Sequence, residues 1–241
     1  MKVVIVIPSR WKSSRFPGKP LALIDKVPMI KRVYKKACMA KKADKVFVAT
    51  DNSKIFNFCK NNDIEVIMTS NKCKTGTDRV CEVSKRIHSD IYVNLQGDEP
   101  LINPNCIDAV INLLKRNLRK KIIASTAYVE VDNSINKENT GVYLTCNKFH
   151  EVIFLSRYKI PFNFKKKTMK KKHVGLYAYT KNALKVFNKL RQGNLEKTES
   201  IEILRLLENG YKVIAKKIYT PLLDVNYSSD VKKIERFLKN K

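Results

Sequence analysis

Val3-Val4-Ile5-Val6-Ile7-Pro8 is an unbroken aliphatic run of strand length near the amino terminus. Runs of this kind are typical of strands that helices cover on both faces, as in a parallel sheet. Similar runs follow at residues 45–50, 65–68 and 90–95, and segments with helical spacing of apolar residues separate them. This alternation predicts an α/β fold with an open, mostly parallel sheet and helices on both of its faces.

The second half of the chain has a different pattern. Strand-like runs at residues 122–131, 141–145 and 151–156 follow one another without an intervening helix, which indicates an antiparallel extension of the sheet. The remaining predicted elements are strands at 174–179 and 211–218 and helices at 181–190, 199–209 and 229–239. We expect one domain over residues 1–241, with residues 130–172 as an appended arm or lid.

The composition excludes several classes of protein. A hydrophobic fraction of 44% argues against a disordered chain, and no window approaches the roughly 18 apolar residues of a membrane span. The amino-terminal apolar run is too short for a signal peptide, so we expect a cytoplasmic protein. The six cysteines form no Cys-x-x-Cys pair and the three histidines are scattered, so these residue types predict no metal site.

The formal net charge of +27 raises an alternative of a different class, a basic and noncatalytic nucleic-acid-binding protein. Only 11 of the 49 basic residues are arginine, and the densest lysine run, residues 165–172, contains no aromatic residue. Solvated lysines with some attraction for an anionic substrate explain this distribution better. We therefore expect no specific nucleic-acid partner.

The loop after the first strand carries four cations, Arg10, Lys12, Arg15 and Lys19. Ligands of open α/β sheets bind beyond the carboxyl ends of the strands, and several cations suit a triphosphate. The loop has neither the Walker pattern nor Gly-x-Gly-x-x-Gly, so an ordinary P-loop or dinucleotide site is not predicted. A charged surface loop without a ligand is the alternative.

Two further loops add candidate residues. Gly76 permits a close backbone approach at the start of a predicted helix, and Thr77 can cap that helix. Asp98 follows the fourth strand and Asp224 follows the last one. Two aspartates on one divalent cation beside a basic loop indicate nucleotidyl transfer, although Gly97-Asp98 followed by Pro100 would also suit a plain turn.

Taken together, the motifs resemble those of the CMP-Kdo synthetases, the 3-deoxy-manno-octulosonate cytidylyltransferases. The resemblance covers nearly the whole chain. The segments that carry it are Ile7-Pro8-Ser9-Arg10, Phe16-Pro17-Gly18-Lys19-Pro20, Gly76-Thr77-Asp78-Arg79, Val93-Asn94-Leu95-Gln96-Gly97-Asp98-Glu99-Pro100, Ser156-Arg157 with Ile160-Pro161, His173-Val174-Gly175-Leu176-Tyr177-Ala178-Tyr179, and Glu202-Ile203-Leu204-Arg205.

The resemblance implies a Rossmann-like nucleotidyltransferase fold, a homodimer, and transfer of CMP from CTP to the anomeric hydroxyl of Kdo (3-deoxy-D-manno-octulosonic acid) for lipopolysaccharide or capsule, with release of pyrophosphate. It implies that Lys19, Asp98 and Asp224 are catalytic and that both aspartates bind Mg²⁺. The residues that it places around CTP are Arg10, Ser13, Arg15, Lys19, Thr75, Gly76, Thr77 and Arg79. Those that it places around the sugar acid are Gln96, Arg157, His173, Tyr177 and Glu202, with Arg157 or His173 facing the sugar's carboxylate or its hydroxyls.

The chain departs from the family's usual motifs at three positions, where it has Ile203, Tyr143 and Val225. The first of these replaces a polar residue next to Glu202, which predicts an unpaired sugar hydroxyl at a cost of roughly 1–3 kcal/mol. The expected acceptor is therefore Kdo or a close analogue. Amino-substituted Kdo and a nonulosonic, sialic-acid-like acid are the alternatives.

Overall fold

The computed structural model describes residues 1–13, 15–132 and 141–240. Its strands in chain order are β1 (Val3–Ser9), β2 (Leu23–Ile24), β3 (Val27–Pro28), β4 (Lys45–Thr50), β5 (Val66–Met68), β6 (Ile91–Leu95), β7 (Ile122–Val131), β8 (Tyr143–Cys146), β9 (Val152–Ser156), β10 (Lys170–Thr180) and β11 (Lys212–Lys217). Its α-helices are α1 (Met29–Cys38), α2 (Ser53–Lys60), α3 (Gly76–Arg86), α4 (Pro104–Asn117), α5 (Lys181–Lys189), α6 (Asn194–Glu199), α7 (Leu204–Glu208) and α8 (Ser228–Lys239).

One half of the main sheet is parallel and is built on the amino-terminal aliphatic run. β1 lies between β4 and β6 and runs parallel to both, with Val6 opposite Phe47 on one side and Asn94 on the other. β5 continues the sheet beyond β4, again in parallel. The predicted parallel arrangement is confirmed here, and it brings the carboxyl ends of β1 and β6 side by side.

The other half of the sheet is mixed. β10 lies between β6 and β7 and is antiparallel to both, whereas β11 joins β7 in parallel at the edge. β8 pairs with β10 and with β9, both in antiparallel fashion. The antiparallel extension predicted from consecutive strands is confirmed.

Alternate residues of β1 enter two different cores. Ile5 packs on one face of the sheet, in a cluster that includes buried residues of α1 and α4. Val6 packs on the other face, in a cluster that includes residues of α3 and α5. Because neighbouring side chains of a strand point to opposite faces, a fully apolar strand requires cover on both, and each buried aliphatic side chain contributes about 1.5–3 kcal/mol.

Two predicted features of the helices are corrected. The single helix expected over residues 199–209 is wrong: the chain forms α6 and α7 instead, and Ser200 between them adopts a left-handed conformation with φ 55°. α4 was not predicted, although Ile107, Val110 and Leu114 have the spacing of a buried helical face. No helix in the described ranges is both long and apolar enough to cross a membrane.

The predicted arm over residues 130–172 contains several kinds of structure. Residues 133–140 lie outside the described residues, and β8 and β9 belong to the main sheet. Residues 157–169 form a loop outside the strands, in which Phe162 and Phe164 are 82% and 83% exposed. The appended arm or lid over this range stays a prediction.

Candidate active site

An open cleft of about 420 Å³ lies beyond the carboxyl ends of β1 and β6. Its lining comes from the loop after β1, the start of α3, the loop after β6, the middle of β10, the break between α6 and α7, and the segment before α8. Open α/β sheets bind their ligands in this position. Representative lining residues are Arg10, Arg15, Gln96, Asp98, His173 and Glu202.

The loop after β1 places two of its cations in the cleft. The Gly18 N–H donates to the Trp11 carbonyl at 3.1 Å, and Gly18 has φ 72°, a conformation that glycine adopts without a steric cost. Arg10 and Arg15 line the cleft, and the Arg15 guanidinium lies 5.5 Å from the centre of the Tyr227 ring. The loop therefore folds back on itself and presents its arginines.

Ser13 and Lys19 were predicted to contact CTP, and neither is among the residues that line the cleft. The Ser13 hydroxyl instead accepts a hydrogen bond from the Phe16 N–H at 3.3 Å. The Lys19 ammonium donates to the Asp98 carboxylate at 2.7 Å and to the Val225 carbonyl at 2.9 Å. Lys19 thus holds Asp98 and the 224–225 segment together.

Asp98 and Asp224 lie on the same wall of the cleft. The Val225 N–H donates to the Asp98 carbonyl at 3.0 Å, which ties the two segments together. Asp224 accepts a hydrogen bond from the Asn226 amide, and its carboxylate is 3.9 Å from the Lys172 ammonium. Burial raises the pKa of Asp224, Lys172 lowers it, and the nearby charge of Asp98 raises it again.

Glu99 is a third carboxyl group at this wall, and it is not among the predicted site residues. Its carboxylate accepts a hydrogen bond from the Gly175 N–H at 3.0 Å. Burial raises the pKa of Glu99 to about 8, and the charges of Asp224 and Asp98 add to the shift. Its place in the sequence, directly after Asp98 in a strand-end motif, was the only signal that could have singled it out.

The donor set of this wall fits a magnesium ion. No group of three or more His, Cys, Asp or Glu within the described ranges could hold a metal by itself. Mg²⁺, however, is commonly held by one or two carboxylates, with phosphate oxygens and water as its other ligands. Asp98 and Asp224 supply that number of carboxylates beside the arginines of the β1 loop.

The start of α3 forms the neighbouring wall. Thr75 and Asp78 form a capping box, in which the Thr75 hydroxyl accepts from the Asp78 N–H at 3.1 Å and the Asp78 carboxylate accepts from the Thr75 N–H at 2.9 Å. Thr75 and Gly76 line the cleft. Thr77 does not, because its side chain is fully buried and its hydroxyl contacts the Tyr179 hydroxyl at 3.2 Å.

Arg79 reaches the cleft only with a small part of its side chain, which is 4% exposed. Its guanidinium lies 3.3 Å from the Asp51 carboxylate and also donates to the Thr69 hydroxyl. A buried and paired guanidinium mainly holds β4, β5 and α3 together.

Glu202 lies in the break between α6 and α7 and faces the start of α3. Its carboxylate accepts from the Thr77 N–H at 2.7 Å, the Gln96 amide at 3.2 Å and the Asn94 amide at 3.3 Å. Burial raises the pKa of Glu202, while the hydrogen bonds from Thr77 and Thr75 lower it. The carboxylate also satisfies an N–H group in the first turn of α3, where the helix dipole favours negative charge.

A buried ion pair holds this break in place. The Arg205 guanidinium makes two hydrogen bonds of 2.7 Å to the Glu196 carboxylate and lies 3.8 Å from the centre of the Phe187 ring. Arg205 and Glu196 are 5% and 2% exposed. Because this pair joins α6 to α7, it fixes the position of Glu202 between them.

The remaining predicted sugar-side residues meet on the β10 side. The His173 and Tyr177 rings are 4.8 Å apart, beside an irregularity in the pairing of β10 with β7. Arg157 lines the cleft, and its guanidinium donates to the carbonyls of Glu199 and Ser200 at 3.1 and 3.3 Å. Burial and, to a smaller extent, the charge of Arg157 lower the pKa of His173 to about 3.

The three departures from the family's motifs do not reach the cleft. Ile203 and Val225 are fully buried in the two cores, and Tyr143 is 2% exposed. The Ile203 side chain packs in the core on the α7 side, and the expectation that a sugar hydroxyl is left unpaired stays a prediction. Val225 acts near the site through its backbone N–H and carbonyl.

Comparisons with known proteins match nearly the whole chain to cytidylyltransferases. The family model described as "Cytidylyltransferase" matches residues 4–218. The "8-amino-3,8-dideoxy-manno-octulosonate cytidylyltransferase" of Shewanella frigidimarina (strain NCIMB 400) is 38% identical over 242 residues, which cover 98% of each chain. The protein of the same name from Shewanella sp. (strain ANA-3) is 36% identical, with 99% of each chain covered.

Solved structures show the same fold. One described as CMP:2-keto-3-deoxy-manno-octonic acid synthetase complexed with CTP has a TM-score of 0.92 at 32% identity, and it covers 100% of this chain and 99% of its own. A cytidylyltransferase from Leptospira borgpetersenii, at 18% identity and a TM-score of 0.69, shows the fold alone. The predicted Rossmann-like nucleotidyltransferase fold is confirmed.

Proposed function

The chain belongs to the cytidylyltransferase family, and from that premise we propose that it transfers CMP from CTP to 8-amino-3,8-dideoxy-manno-octulosonate with release of pyrophosphate. The observation that carries this proposal is the similarity, over 98% of both chains, to a relative named for that reaction. It favours the amino-substituted alternative over plain Kdo. Family membership also favours an enzyme over a noncatalytic nucleic-acid-binding protein.

Kdo itself is the second candidate acceptor. It is supported by the 32% identity to the synthetase whose structure contains CTP. The two acids differ at C8, where one has an amine that is protonated near neutral pH and the other has a hydroxyl. Neither the comparisons nor the cleft favours the nonulosonic acid.

One charge in the cleft supports the amino acceptor. The hydrogen-bond donors to Glu202 are neutral groups, namely the Thr77 N–H, the amides of Asn94 and Gln96, and the hydroxyls of Thr75 and Thr77. When ionised, this carboxylate therefore adds negative charge to the sugar side of the cleft. Such a charge favours an ammonium group over a neutral hydroxyl of similar size.

The reaction needs positioning and charge neutralisation more than covalent chemistry by the protein. In this proposal Arg10 and Arg15 bind the triphosphate, and Thr75 and Gly76 lie beside the nucleoside. The anomeric oxygen of the acid attacks the α-phosphorus, the bond between the α-phosphorus and its bridging oxygen breaks, and pyrophosphate leaves in line. The hydroxyl proton passes to the surrounding water.

We place Mg²⁺ at Asp98 and Asp224, as the sequence predicted. The ion, when bound, supplies charge neutralisation to the phosphates. Lys19 contributes by holding the Asp98 carboxylate in the orientation that its 2.7 Å contact defines. Asn226, which donates to Asp224, has the same role on the other carboxylate.

A pyrophosphate-release assay tests the proposed function. The enzyme is incubated with CTP, Mg²⁺ and in turn the 8-amino acid, Kdo and a nonulosonic acid, with UTP and ATP as nucleotide controls. We expect release with CTP and the highest kcat/KM with the 8-amino acid. No release with any of these acids would contradict the proposal.

A variant of Glu202 tests whether its charge favours the 8-amino acid over Kdo. Glu202→Gln should lower the ratio of kcat/KM for the 8-amino acid to that for Kdo, because it removes the negative charge and keeps a polar side chain. Glu65→Gln, at an exposed carboxylate just before β5, is the matched control and should leave the ratio unchanged. An unchanged ratio in Glu202→Gln would contradict a role for the Glu202 charge in selecting the acceptor.

We also propose that the enzyme is a homodimer that uses residues 157–169. Phe162 and Phe164 are both more than four-fifths exposed, and a second copy would cover them. Light scattering should give twice the 27.8 kDa of the chain, and the Phe162→Asp/Phe164→Asp double variant should be monomeric. A monomeric wild-type protein would contradict this proposal. The cytoplasmic location stays a prediction.

A further inference from the structure

A buried threonine of β7 contacts the histidine at the cleft. Thr126 is fully buried, and its hydroxyl oxygen lies 2.8 Å from His173 Nε2 and 2.8 Å from the Leu176 carbonyl oxygen. The pairing of β10 with β7 changes register between Val174 and Tyr177, next to these three groups. That irregularity allows one hydroxyl to contact both the histidine ring and a β10 carbonyl.

The direction of the two hydrogen bonds follows from the number of protons. A threonine hydroxyl has one hydrogen, and a carbonyl oxygen can only accept. The Thr126 proton must therefore point to Leu176, so the Thr126 oxygen accepts from His173 Nε2–H. In a neutral imidazole the other nitrogen, Nδ1, then carries no proton and is a hydrogen-bond acceptor.

The surroundings of the ring keep it neutral. Burial lowers the pKa of His173, and the positive charge of Arg157 lowers it further. His173 lines the cleft, and within the described ranges no group donates a hydrogen bond to Nδ1. Nδ1 is thus the ring nitrogen available to a bound molecule.

We propose that Thr126 is a positioning residue that locks His173 in the Nε2–H tautomer, so that Nδ1 accepts a hydrogen bond from a hydroxyl or ammonium group of the acceptor acid. The second half of this inference rests on the proposed function. A neutral ring with a free lone pair repels a carboxylate. The carboxylate of the acid therefore binds to Arg157, whose guanidinium is a permanent cation and donor.

The tautomer can be measured without any substrate. In a long-range proton–nitrogen correlation spectrum of ¹⁵N-labelled protein, protonated and unprotonated ring nitrogens resonate in separate ranges. The chain has three histidines, so a His173→Asn variant assigns the signals. We expect Nε2 of His173 to be protonated and Nδ1 unprotonated at neutral pH. The opposite assignment, or a charged ring, overturns the proposal.

A matched pair of variants tests the role of Thr126. Thr126→Val keeps the side-chain shape but removes the acceptor for Nε2–H, so both tautomers should appear. Its KM for the sugar acid should rise roughly three- to tenfold, as expected for one lost hydrogen bond, while its KM for CTP stays unchanged. Thr126→Ser retains the hydroxyl and should restore the single tautomer and the original KM.

The two proposals can fail separately. If no acid supports pyrophosphate release, the proposed function is wrong, and the spectra of wild type and variants still decide whether Thr126 sets the tautomer. If the enzyme is active but Thr126→Val keeps the wild-type spectrum and KM, the inference about Thr126 is wrong. Loss of stability alone would not change the tautomer in Thr126→Val and restore it in Thr126→Ser.

Discussion

The two sides of the cleft are built in different ways. On the nucleotide side, the cations Arg10 and Arg15 and the carboxylates Asp98 and Asp224 come from loops that follow strands. On the sugar side, His173 and Glu202 are partly buried and make hydrogen bonds to residues of strands far away in the sequence, Thr126 and Asn94. In the proposed function, the first side supplies charge to the phosphates, which need little shape selection. The second side would supply fixed donors and acceptors that select the acid.

The largest effect is expected on the nucleotide side. Asp98→Asn removes one of two carboxylates proposed to bind Mg²⁺, and kcat should fall at least about a thousandfold, since metal charge stabilisation is lost. Far-ultraviolet circular dichroism should remain that of wild type. Asp25→Asn, at an exposed turn with φ 47° that asparagine also tolerates, is the control and should keep wild-type kcat. Near-normal turnover in Asp98→Asn would remove Asp98 from the metal site.

The next effect concerns stability on the sugar side. Arg205→Ala leaves the Glu196 carboxylate buried without its partner, and the free energy of unfolding should fall by about 3 kcal/mol. Arg86→Ala breaks a pair of the same residue types in which Arg86 is 53% exposed, and should cost less than about 1 kcal/mol. Urea denaturation measures both. Equal losses of unfolding free energy in the two variants would mean that burial does not determine how much an ion pair contributes to stability.

A smaller effect is expected at Gly175. A Cβ atom at this position would lie 2.9 Å from Gln96 Cγ and 3.1 Å from a Glu99 carboxylate oxygen. Gly175→Ala should therefore lower the free energy of unfolding by about 2 kcal/mol and raise KM for the sugar acid. Gly210→Ala meets nothing within 4 Å but has φ 76°, so it should cost about 1 kcal/mol and leave KM unchanged. A raised KM in both variants would contradict the explanation that Gly175→Ala acts through its contacts with Gln96 and Glu99.

The smallest effect is a dependence on pH on the nucleotide side. Burial raises the pKa of Asp230. Hydrogen bonds from the Tyr227 N–H, Lys233 and the Asn226 N–H lower it by a larger amount, so the net pKa lies below the usual value for aspartate. The stabilisation is therefore complete above the unfolded pKa and is lost as the pH falls through the folded one. Asp230→Ala should cost about 1 kcal/mol at pH 7, and this difference should shrink below about pH 3.8. A difference that is constant from pH 7 to pH 3 would exclude a role for the charge.

The strand-end residues of the nucleotide side can be predicted from local signals, whereas the five sugar-side residues that line the cleft were named only by the family resemblance. The aliphatic run of residues 3–8 determines the strand, and Arg10 and Asp98 follow their strands within a few residues, so topology alone brings them together. The positions of these residues at the strand ends do not depend on contacts with segments far away in the sequence. Even here, the contacts of Ser13 and Lys19 were not predictable, because they depend on how the loop folds back.

The sugar side depends on contacts that no local pattern contains. The helical spacing over residues 199–209 predicts one helix, but the Arg205–Glu196 pair and the left-handed Ser200 divide it. Ile203, in place of the family's usual polar residue beside Glu202, suggests an altered sugar contact, whereas its side chain packs in the core. The Thr126–His173 contact joins two strands through an irregular register. Each of these requires the packed tertiary structure.

The position of β10 has a consequence for synthesis on the ribosome. This strand fills the gap between β6 and β7, yet it follows both in the chain. In a nascent chain that ends before residue 170, β6 lacks its β10 partner and β7 lacks both of its partners, β10 and β11, which is a state prone to aggregation. We therefore expect the main sheet to form only after residue 180 has left the exit tunnel, and a fragment truncated at residue 132 to be prone to aggregation.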